Sequence, residues 1–289
     1  MVSSTDALRT LLSQDKLYVL PSCFDALSAK LIEQEGFSAT FVSGFAAAAS
    51  RIGAPDLGLM SYAEILDQVR NICDVVNFPV IGDGDTGYGN AMNVQRTVKG
   101  FAKAGCAAVL IEDQLAPKRC GHTPGKEVVS RGEAFDRIRA AVDAREAGAD
   151  IMILARTDAR HSHGLGEAII RAQNFHELGA DIIFVEAPQS EAEMREICKE
   201  VPGTQMANLV EGGDTPLLPT DVLHDIGYKL AIYPLTLLSS AMNAMVHSLK
   251  ALKTGATEDQ HLMNFTDMRA RIGFDNYYDA SSVYETSRR

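Results

Sequence analysis

Apolar and polar positions recur in blocks along this chain of 289 residues. Five times a helical stretch ends at a glycine and a short, continuously apolar segment follows; these glycines are Gly36, Gly105, Gly148, Gly179 and Gly227. Such a glycine supplies the left-handed conformation that ends a helix. A continuously apolar segment is typical of a parallel strand that is covered on both faces. Because segments 17–21, 78–83 and 205–210 have the same character, the pattern predicts eight parallel strands.

Stretches with helical spacing separate these strands. The clearest predicted helices span 62–76, 91–104, 131–147, 165–178, 191–200 and 219–226. Eight strand–helix units predict an α/β fold of the (β/α)8 TIM-barrel type, and an open doubly wound sheet is the alternative. The barrel is favoured because polar residues follow nearly every strand, as a shared barrel mouth requires. We therefore assign residues 1–240 to a barrel that is the catalytic domain.

The remaining residues, 241–289, are predicted to form a helical C-terminal extension with helices over 240–255 and 256–272. This extension contains more apolar side chains than one barrel helix buries: Met242, Met245, Leu249, Leu252, Leu262, Met263 and Phe265. Exposed apolar surface of this size marks a contact between molecules. We therefore expect the extension to supply oligomer contacts.

Charge and composition narrow the class of protein. The chain has 27 Lys and Arg against 38 Asp and Glu, a formal net charge of −11, and no basic block. We therefore expect no nucleic-acid or membrane partner. No apolar run approaches the roughly 18 residues of a membrane span, and Asp6 and Asp15 interrupt the region where a signal peptide would be apolar. Five scattered cysteines without a CxxC pair favour the reducing cytoplasm.

Acidic residues cluster after three neighbouring predicted strands. They are Asp83, Asp85, Glu112, Asp113 and Asp158. Since a TIM barrel carries its chemistry at the C-terminal ends of its strands, these carboxylates should converge, and their repulsion calls for a cation. Oxygen ligands without histidine suit Mg²⁺ or Mn²⁺. We predict a Mg²⁺ site at Asp83, Asp85 and Glu112, which Mn²⁺ can also occupy; the alternative is that some acids cap helices or pair with Arg156.

The segment after the fourth strand, residues 118–126, is small, polar and cationic around Cys120. Nearby basic groups should depress the pKa of this thiol, and a segment in this position can act as a lid. An incidental cysteine is the alternative. Two other motifs suggest sites that their residues do not support, a phosphate-binding loop at 82–90 and a histidine metal pair at 161 and 163. The glycine-rich segment 82–90 lacks GK[ST] and its acids would repel phosphate, and His161 and His163 are expected in a solvated loop.

Several motifs resemble those of the isocitrate lyase/phosphoenolpyruvate mutase superfamily, over residues of about 22 to 239. They are GDGDTGYGN, IEDQ, PKRCGH, ARTDA, FVEAP and NLVEGG. KRCGH is similar to the lyase branch, which cleaves a carbon–carbon bond in a 2-hydroxy diacid or triacid. The mutase, phosphonate-hydrolase and decarboxylase branches lack this cysteine. NLVEGGDTPLL and YPLTLL look closer to 2-methylmalate and 2,3-dimethylmalate lyases than to 2-methylisocitrate lyases.

Two positions depart from related patterns. Oxaloacetate hydrolases place Ser where this chain has Pro234. Oxaloacetate hydrolysis is therefore less favoured as the activity of this chain, but it stays an alternative. Methylisocitrate lyases carry Tyr where this chain has Phe41, so Asp56 becomes the candidate acid–base group.

The resemblance implies a role for each site residue. Cys120 is the implied proton donor, and Arg156 is a catalytic residue that also offers its guanidinium to a carboxylate. The implied substrate-binding residues are Ser43, Gly44, Phe45, Lys118, Gly121, His122, Glu186 and Asn208. The resemblance also implies homotetramers whose C-terminal helices are exchanged between subunits. The predicted reaction is Mg²⁺-dependent cleavage of a 2-hydroxy-2-alkyl dicarboxylate to pyruvate and a short carboxylic acid. The alternatives are 2-methylisocitrate cleavage, oxaloacetate hydrolysis and phosphonate chemistry.

Overall fold

A computed structural model of the protein describes residues 2–119, 125–255 and 262–284. The chain divides into two compact units, the first ending at Leu238 and the second beginning at Ser239. None of the described helices is both long enough and apolar enough to cross a lipid bilayer.

Eight parallel strands close into a barrel in the first unit, and the last strand pairs with the first. The strands are β1 (Tyr18–Cys23), β2 (Thr40–Val42), β3 (Val80–Asp83), β4 (Ala108–Glu112), β5 (Met152–Thr157), β6 (Ile182–Val185), β7 (Thr204–Asn208) and β8 (Tyr228–Tyr233). They pair strictly in chain order. The predicted (β/α)8 barrel is therefore confirmed, and the open sheet is excluded.

Ten helices in the described part of the first unit precede or follow these strands. They are α1 (Ser4–Leu12), α2 (Ala26–Gln34), α3 (Gly44–Ile52), α4 (Tyr62–Cys73), α5 (Ala91–Ala104), α6 (Arg131–Glu146), α7 (Ala159–His163), α8 (Leu165–Glu177), α9 (Glu191–Glu200) and α10 (Thr220–Ile226). All six predicted helices are present. The first three helices and α7 were not among the six helices predicted with bounds, because α1 buries only two of its nine residues and α2 and α3 are equally short.

Side-chain alternation along the strands decides which residues reach the barrel interior. Successive strand residues face opposite sides. On β4, Leu110 belongs to the apolar cluster inside the barrel, whereas Val109 and Ile111 pack in the cluster shared with the surrounding helices. By the same alternation Glu112 continues the inward series and Asp113 turns outward. The alternation along the strand therefore places the neighbouring acids Glu112 and Asp113 on opposite sides of the barrel wall.

The second unit differs from its prediction. Helix α11 (Thr236–Thr254) leads into it, and α12 (Phe265–Ile272) and α13 (Phe274–Ser282) follow. The predicted helix over 256–272 is wrong at its start, because residues 262–264 are not helical. The side chain of Asn264 accepts from the Asp267 amide and begins α12 there. Neither α12 nor α13 has a buried residue.

Candidate active site

The inward series of several strands ends in polar side chains at one barrel mouth. Each of these residues stands two positions after an apolar residue of the interior cluster: Ser43 after Phe41, Asp83 after Ile81, Glu112 after Leu110, Arg156 after Leu154, Glu186 after Phe184 and Asn208 after Met206. All of them except Glu112 line a small cavity of about 50 Å³ at the mouth. Gly44, Phe45, Asp56 and Lys118 line the same cavity. Alternation thus gathers predicted site residues from six strands.

Three carboxylates at the barrel mouth, those of Asp56, Asp83 and Asp85, belong to a buried network that includes Lys118. The Lys118 Nζ atom lies 2.6 Å from Asp56 Oδ1 and 2.7 Å from Asp85 Oδ1. Asp83 accepts from the Gly44 amide at 3.2 Å and from the Asp85 amide at 3.1 Å. A Cβ atom at position 44 would lie 2.5 Å from Asp83 Oδ2, so only glycine allows this approach.

Burial dominates the electrostatics of these acids. Burial and the neighbouring Asp85 charge raise the pKa of Asp83 to about 6. Burial also raises the pKa of Asp56, although the ammonium of Lys118 opposes that shift. The surrounding carboxylates raise the pKa of Lys118 well above its usual value despite its burial. One ammonium therefore faces several carboxylates, and the site has a surplus of negative charge.

Glu112 is the acid least satisfied by the protein. Its side chain is 2% exposed, and its Oε2 atom lies 3.4 Å from Arg156 Nε. Its Oε1 atom is buried and has no hydrogen-bond partner among the described residues. Burial raises the pKa of Glu112 well above its usual value. An unpaired buried carboxylate oxygen is costly, so Oε1 is available to an added cation.

The donor chemistry of this group fits a hard divalent metal. Within the described ranges, no three Asp, Glu, His or Cys side chains already form a metal-ligating cluster. Mg²⁺ does not need such a cage, because it commonly takes one or two carboxylates and retains several waters. Asp83, Asp85 and Glu112 offer only oxygen donors, and Glu112 Oε1 lacks a partner. The residues present therefore fit Mg²⁺.

Arg156 makes more contacts with the protein's own carboxylates than the sequence led us to expect. Its Nε and Nη2 atoms donate to the two carboxylate oxygens of Asp158 at 2.8 and 2.9 Å. The Nη2 atom also lies 3.2 Å from Glu186 Oε2. The Nδ2 atom of Asn208 donates to both carboxylate oxygens of Glu186, at 3.2 and 3.3 Å. A substrate carboxylate would thus meet an arginine that the protein already orients, with Nη1 outside these contacts.

The expectation that five carboxylates share one volume is wrong for Asp113. This side chain faces outward, where its Oδ2 atom accepts from Thr157 Oγ1 at 2.7 Å and from Arg171 Nη1 at 3.0 Å. Its Oδ1 atom accepts from the Asp158 amide at 2.9 Å. For Asp158, the alternative of pairing with Arg156 is correct. We call Asp113, Thr157 and Arg171 the outer network, and Asp56, Asp83, Asp85, Glu112 and Lys118 the inner network.

The cationic segment of residues 118–126 is only partly described. Cys120, Gly121 and His122 lie outside the described residues. Two lysines that flank them are paired with carboxylates, since Lys118 contacts the inner network and Lys126 Nζ lies 3.3 Å from Asp158 Oδ1. The sequence led us to expect both lysines to act as cations on the Cys120 thiol. Their charges are largely balanced by these acids instead.

Sequence reasoning overlooked Tyr88. This residue has a left-handed backbone, with φ of 61°, in the turn after β3, and its hydroxyl donates to Asp85 Oδ2 at 3.1 Å. A bulky residue with positive φ is uncommon and often marks a functional turn. Its place between Gly87 and Gly89 was the available signal.

The expected solvated loop at His161 and His163 is corrected to a short helix. Both residues belong to α7, and both are exposed. The interpretation that they are not a metal pair remains a prediction.

Comparison with known proteins agrees with this fold. The sequence model for phosphoenolpyruvate phosphomutase matches residues 8–253. The chain is 43% identical over 284 residues to 2,3-dimethylmalate lyase of Eubacterium barkeri, covering 97% of this chain and 98% of that protein. It is 40% identical to the chloroplastic carboxyvinyl-carboxyphosphonate phosphorylmutase of Arabidopsis thaliana, covering 100% and 88%. It is also 40% identical to 2-methylisocitrate lyase of Aeropyrum pernix, covering 93% and 87%.

Solved structures show the same relationship. A crystal structure of 2,3-dimethylmalate lyase superposes with a TM-score of 0.93 and 34% identity, covering 98% of this chain and 96% of that chain. Phosphonopyruvate hydrolase with oxalate and Mg²⁺ superposes with a TM-score of 0.86 and 29% identity, covering 98% and 99%. The chain belongs to the phosphoenolpyruvate mutase/isocitrate lyase superfamily. It is an enzyme of that superfamily.

Proposed function

We propose that this enzyme is a Mg²⁺-dependent carbon–carbon lyase. Its substrate is a 2-hydroxy-2-alkyl dicarboxylate such as 2-methylmalate or 2,3-dimethylmalate, and its products are pyruvate and a short carboxylic acid. The observation that carries this proposal is the composition of the mouth cavity. Acidic oxygen donors and Arg156 share it with an apolar lining from Val210, Ile232, Pro234 and Leu235.

The apolar lining favours an alkyl substituent over a third carboxylate. Two of the three cations that line the cavity, Lys118 and Arg156, are already paired with the protein's own carboxylates. A buried charge needs a partner and hydrogen bonds to be tolerated. A tricarboxylate such as 2-methylisocitrate would add a charge beside apolar side chains, whereas a methyl group would contact them favourably. The cavity therefore supports a 2-alkylmalate more than 2-methylisocitrate.

Cleavage needs a base for the 2-hydroxyl group and an acid for the departing carbanion. Asp56 is the proposed base, because burial raises its pKa towards that of an effective proton acceptor. Bound Mg²⁺ would supply charge that lowers the pKa of the 2-hydroxyl group and stabilises the product carbonyl. Asp83, Asp85 and Glu112 are the residues that would hold it.

The substrate carboxylates are proposed to lie against fixed donors. Helix α3 begins at Gly44, and a helix N-terminus favours an anion. The Gly44 amide already donates to Asp83, which leaves the Phe45 amide as the remaining candidate of the two. The Ser43 hydroxyl oxygen accepts from the Ala46 amide, so its own hydrogen can still be donated. Arg156, Asn208 and the segment that contains Gly121 and His122 complete the proposed set, and Glu186 positions Arg156.

Cys120 is proposed to protonate the carbanion as the carbon–carbon bond breaks. The carbanion is a strongly basic species, and Cys120→Ser keeps the side-chain shape while replacing the thiol with a far weaker acid. We expect kcat to fall by about 10²- to 10⁴-fold in steady-state assays. Mass spectrometry during turnover should detect no covalent adduct at Cys120. Near-normal cleavage by the variant, or a trapped thioester, would overturn this assignment.

The C-terminal extension, residues 241–289, is proposed to join the catalytic barrel of residues 1–240 into cytoplasmic homotetramers with exchanged helices. The support is that α12 and α13 bury no residue within one chain, while Leu262, Phe265 and Tyr277 are more than 60% exposed. Light scattering of the full chain should give the mass of a tetramer. A stable monomer would contradict this part of the proposal.

A substrate panel tests the proposed reaction. Each of 2-methylmalate, 2,3-dimethylmalate, 2-methylisocitrate, isocitrate, oxaloacetate and phosphonopyruvate is incubated with the enzyme and Mg²⁺, and the products are identified. We expect pyruvate release to be fastest from one of the two alkylmalates. Faster release from 2-methylisocitrate, oxalate formation from oxaloacetate, or turnover of phosphonopyruvate alone would each identify a different member of the superfamily.

A further inference from the structure

A second cavity lies outside the barrel, between α4 and α5. Its volume is about 550 Å³, within the range of small-molecule sites. The charged residues that line it are all cations, namely Arg70, Arg96, Lys99 and Lys103. No carboxylate lines it, although the chain as a whole has eleven more acidic than basic residues. We call this feature the cationic groove.

Three of the four groove cations, Arg96, Lys99 and Lys103, lack an acid partner among the described residues, whereas Arg70 pairs with Asp67 at 2.8 Å. Over the described ranges, no ion pair involves Lys99 or Lys103, and Arg96 contacts only an aromatic ring. In contrast, Arg131 and Arg139 of the next helix each pair with a carboxylate. Unpaired like charges on one helix face repel each other. A bound anion would relieve that repulsion.

The floor of the groove is built by a close approach between the two helices. A Cβ atom at Gly100, in the interior of α5, would lie 1.9 Å from the Tyr62 hydroxyl oxygen. That hydroxyl donates to the Arg96 carbonyl at 3.3 Å, and the Arg96 guanidinium lies 4.4 Å from the Tyr62 ring centroid. Glycine weakens a helix interior. Here it allows the tyrosine to support one of the four cations.

We propose that the cationic groove binds a small, multiply charged anion with phosphoryl or carboxylate groups. Arg96, Lys99 and Lys103 are spaced along about 10 Å of α5, since seven residues rise 1.5 Å each. That spacing suits an extended polyanion better than a single phosphate ion. The groove shares no lining residue with the mouth cavity, so the inference does not rest on the proposed lyase activity.

Calorimetry on the full chain tests this inference, with tripolyphosphate and citrate as probes in Mg²⁺-free buffer. The double variant Lys99→Gln/Lys103→Gln removes two groove cations. The matched control, Lys16→Gln/Lys199→Gln, removes the same charge from two exposed lysines of the first unit that line neither cavity. We expect one site per chain, about tenfold weaker binding in the groove variant and unchanged binding in the control. Added salt should weaken the binding further.

The two probes distinguish the source of the negative charge. Preference for tripolyphosphate would indicate a phosphoryl ligand, and preference for citrate would indicate a carboxylate ligand. The proposal is wrong if neither probe binds, if the groove variant binds as tightly as the unmodified chain, or if both variants lose affinity equally. Equal loss of affinity in both variants would show a response to net charge alone. Unchanged affinity in the groove variant would place the bound anion elsewhere.

Discussion

The inner and outer networks contain the same kinds of residue at neighbouring strand ends, but they are satisfied to different degrees. In the outer network, both carboxylate oxygens of Asp113 accept hydrogen bonds, from Thr157, Arg171 and the Asp158 amide. In the inner network, Lys118 alone bridges two carboxylates, and Glu112 Oε1 has no partner among the described residues. The outer network is complete, whereas the inner network lacks positive charge.

The degree to which a buried carboxylate is hydrogen-bonded distinguishes a structural role from a chemical one better than its residue type does. A buried carboxylate with full hydrogen bonding stabilises the packing of the elements that it joins. A buried carboxylate with an unmet oxygen destabilises the protein until a cation binds. The outer network therefore acts as a structural link between β4, β5 and α8, whereas the inner network is the proposed place for a metal ion.

Removing an inner carboxylate should have the largest functional effect. Asp85→Asn removes one proposed Mg²⁺ ligand and one negative charge. We expect kcat/KM to fall by about 10³-fold, because metal stabilisation of a transition state is worth several kcal/mol. Mg²⁺ affinity, measured by calorimetry, should fall with it, while the free energy of unfolding of the metal-free chain should not decrease. Wild-type Mg²⁺ affinity in this variant would remove Asp85 from the metal site.

Removing the outer carboxylate should lower the stability of the chain and leave its Mg²⁺ affinity unchanged. Asp113→Asn removes the fully buried partner of Arg171 and leaves it only the less buried Glu167, so we expect the free energy of unfolding to fall by about 3 kcal/mol. Urea denaturation measures this change, and Mg²⁺ affinity should stay near that of the unmodified chain. Asp136→Asn is a matched control, since this exposed acid pairs with Arg139 on the surface, and it should cost less than about 1 kcal/mol. Equal effects of the two variants would contradict the account of the outer network.

Protonation of Asp83 should change both the stability of the metal-free chain and its affinity for Mg²⁺. Since the pKa of Asp83 is raised to about 6 in the folded chain, the folded state binds more protons than the unfolded state between about pH 4 and 6. The metal-free chain should therefore lose stability as pH rises through this window. Mg²⁺ affinity should instead fall about tenfold per pH unit below pH 6, because the metal competes with this proton. A flat affinity between pH 5 and 7 would argue against Asp83 as a ligand.

Tyr88→Phe should have the smallest effect. It removes the hydroxyl that donates to Asp85, and a single hydrogen bond contributes about 1 kcal/mol. We expect Mg²⁺ binding to weaken by about two- to fivefold in calorimetry. A matched loss of thermal stability without any change in Mg²⁺ affinity would show that the hydroxyl only supports the turn.

Sequence alone predicted the barrel because its strands are buried within one chain, and burial leaves a continuous apolar pattern. The alternation of side chains along β4 was also visible in the sequence. Leu110 and Glu112 face the barrel interior, so Asp113 must face outward. This rule would have removed Asp113 from the predicted cluster of five acids. The pairing of Lys118 with Asp56 depends on the path of an irregular segment, which no periodicity encodes. Helices α12 and α13 were misjudged because none of their residues is buried.

The most direct test of the central claim is pyruvate release from 2,3-dimethylmalate by the metal-stripped full chain, measured before and after millimolar Mg²⁺ is added. The account predicts no release without a divalent ion and rapid release once Mg²⁺ is present, with Asp113→Asn responding like the unmodified chain under conditions where it is folded. Full activity in the metal-free sample would contradict the account. So would the absence of pyruvate from both alkylmalates when Mg²⁺ is present.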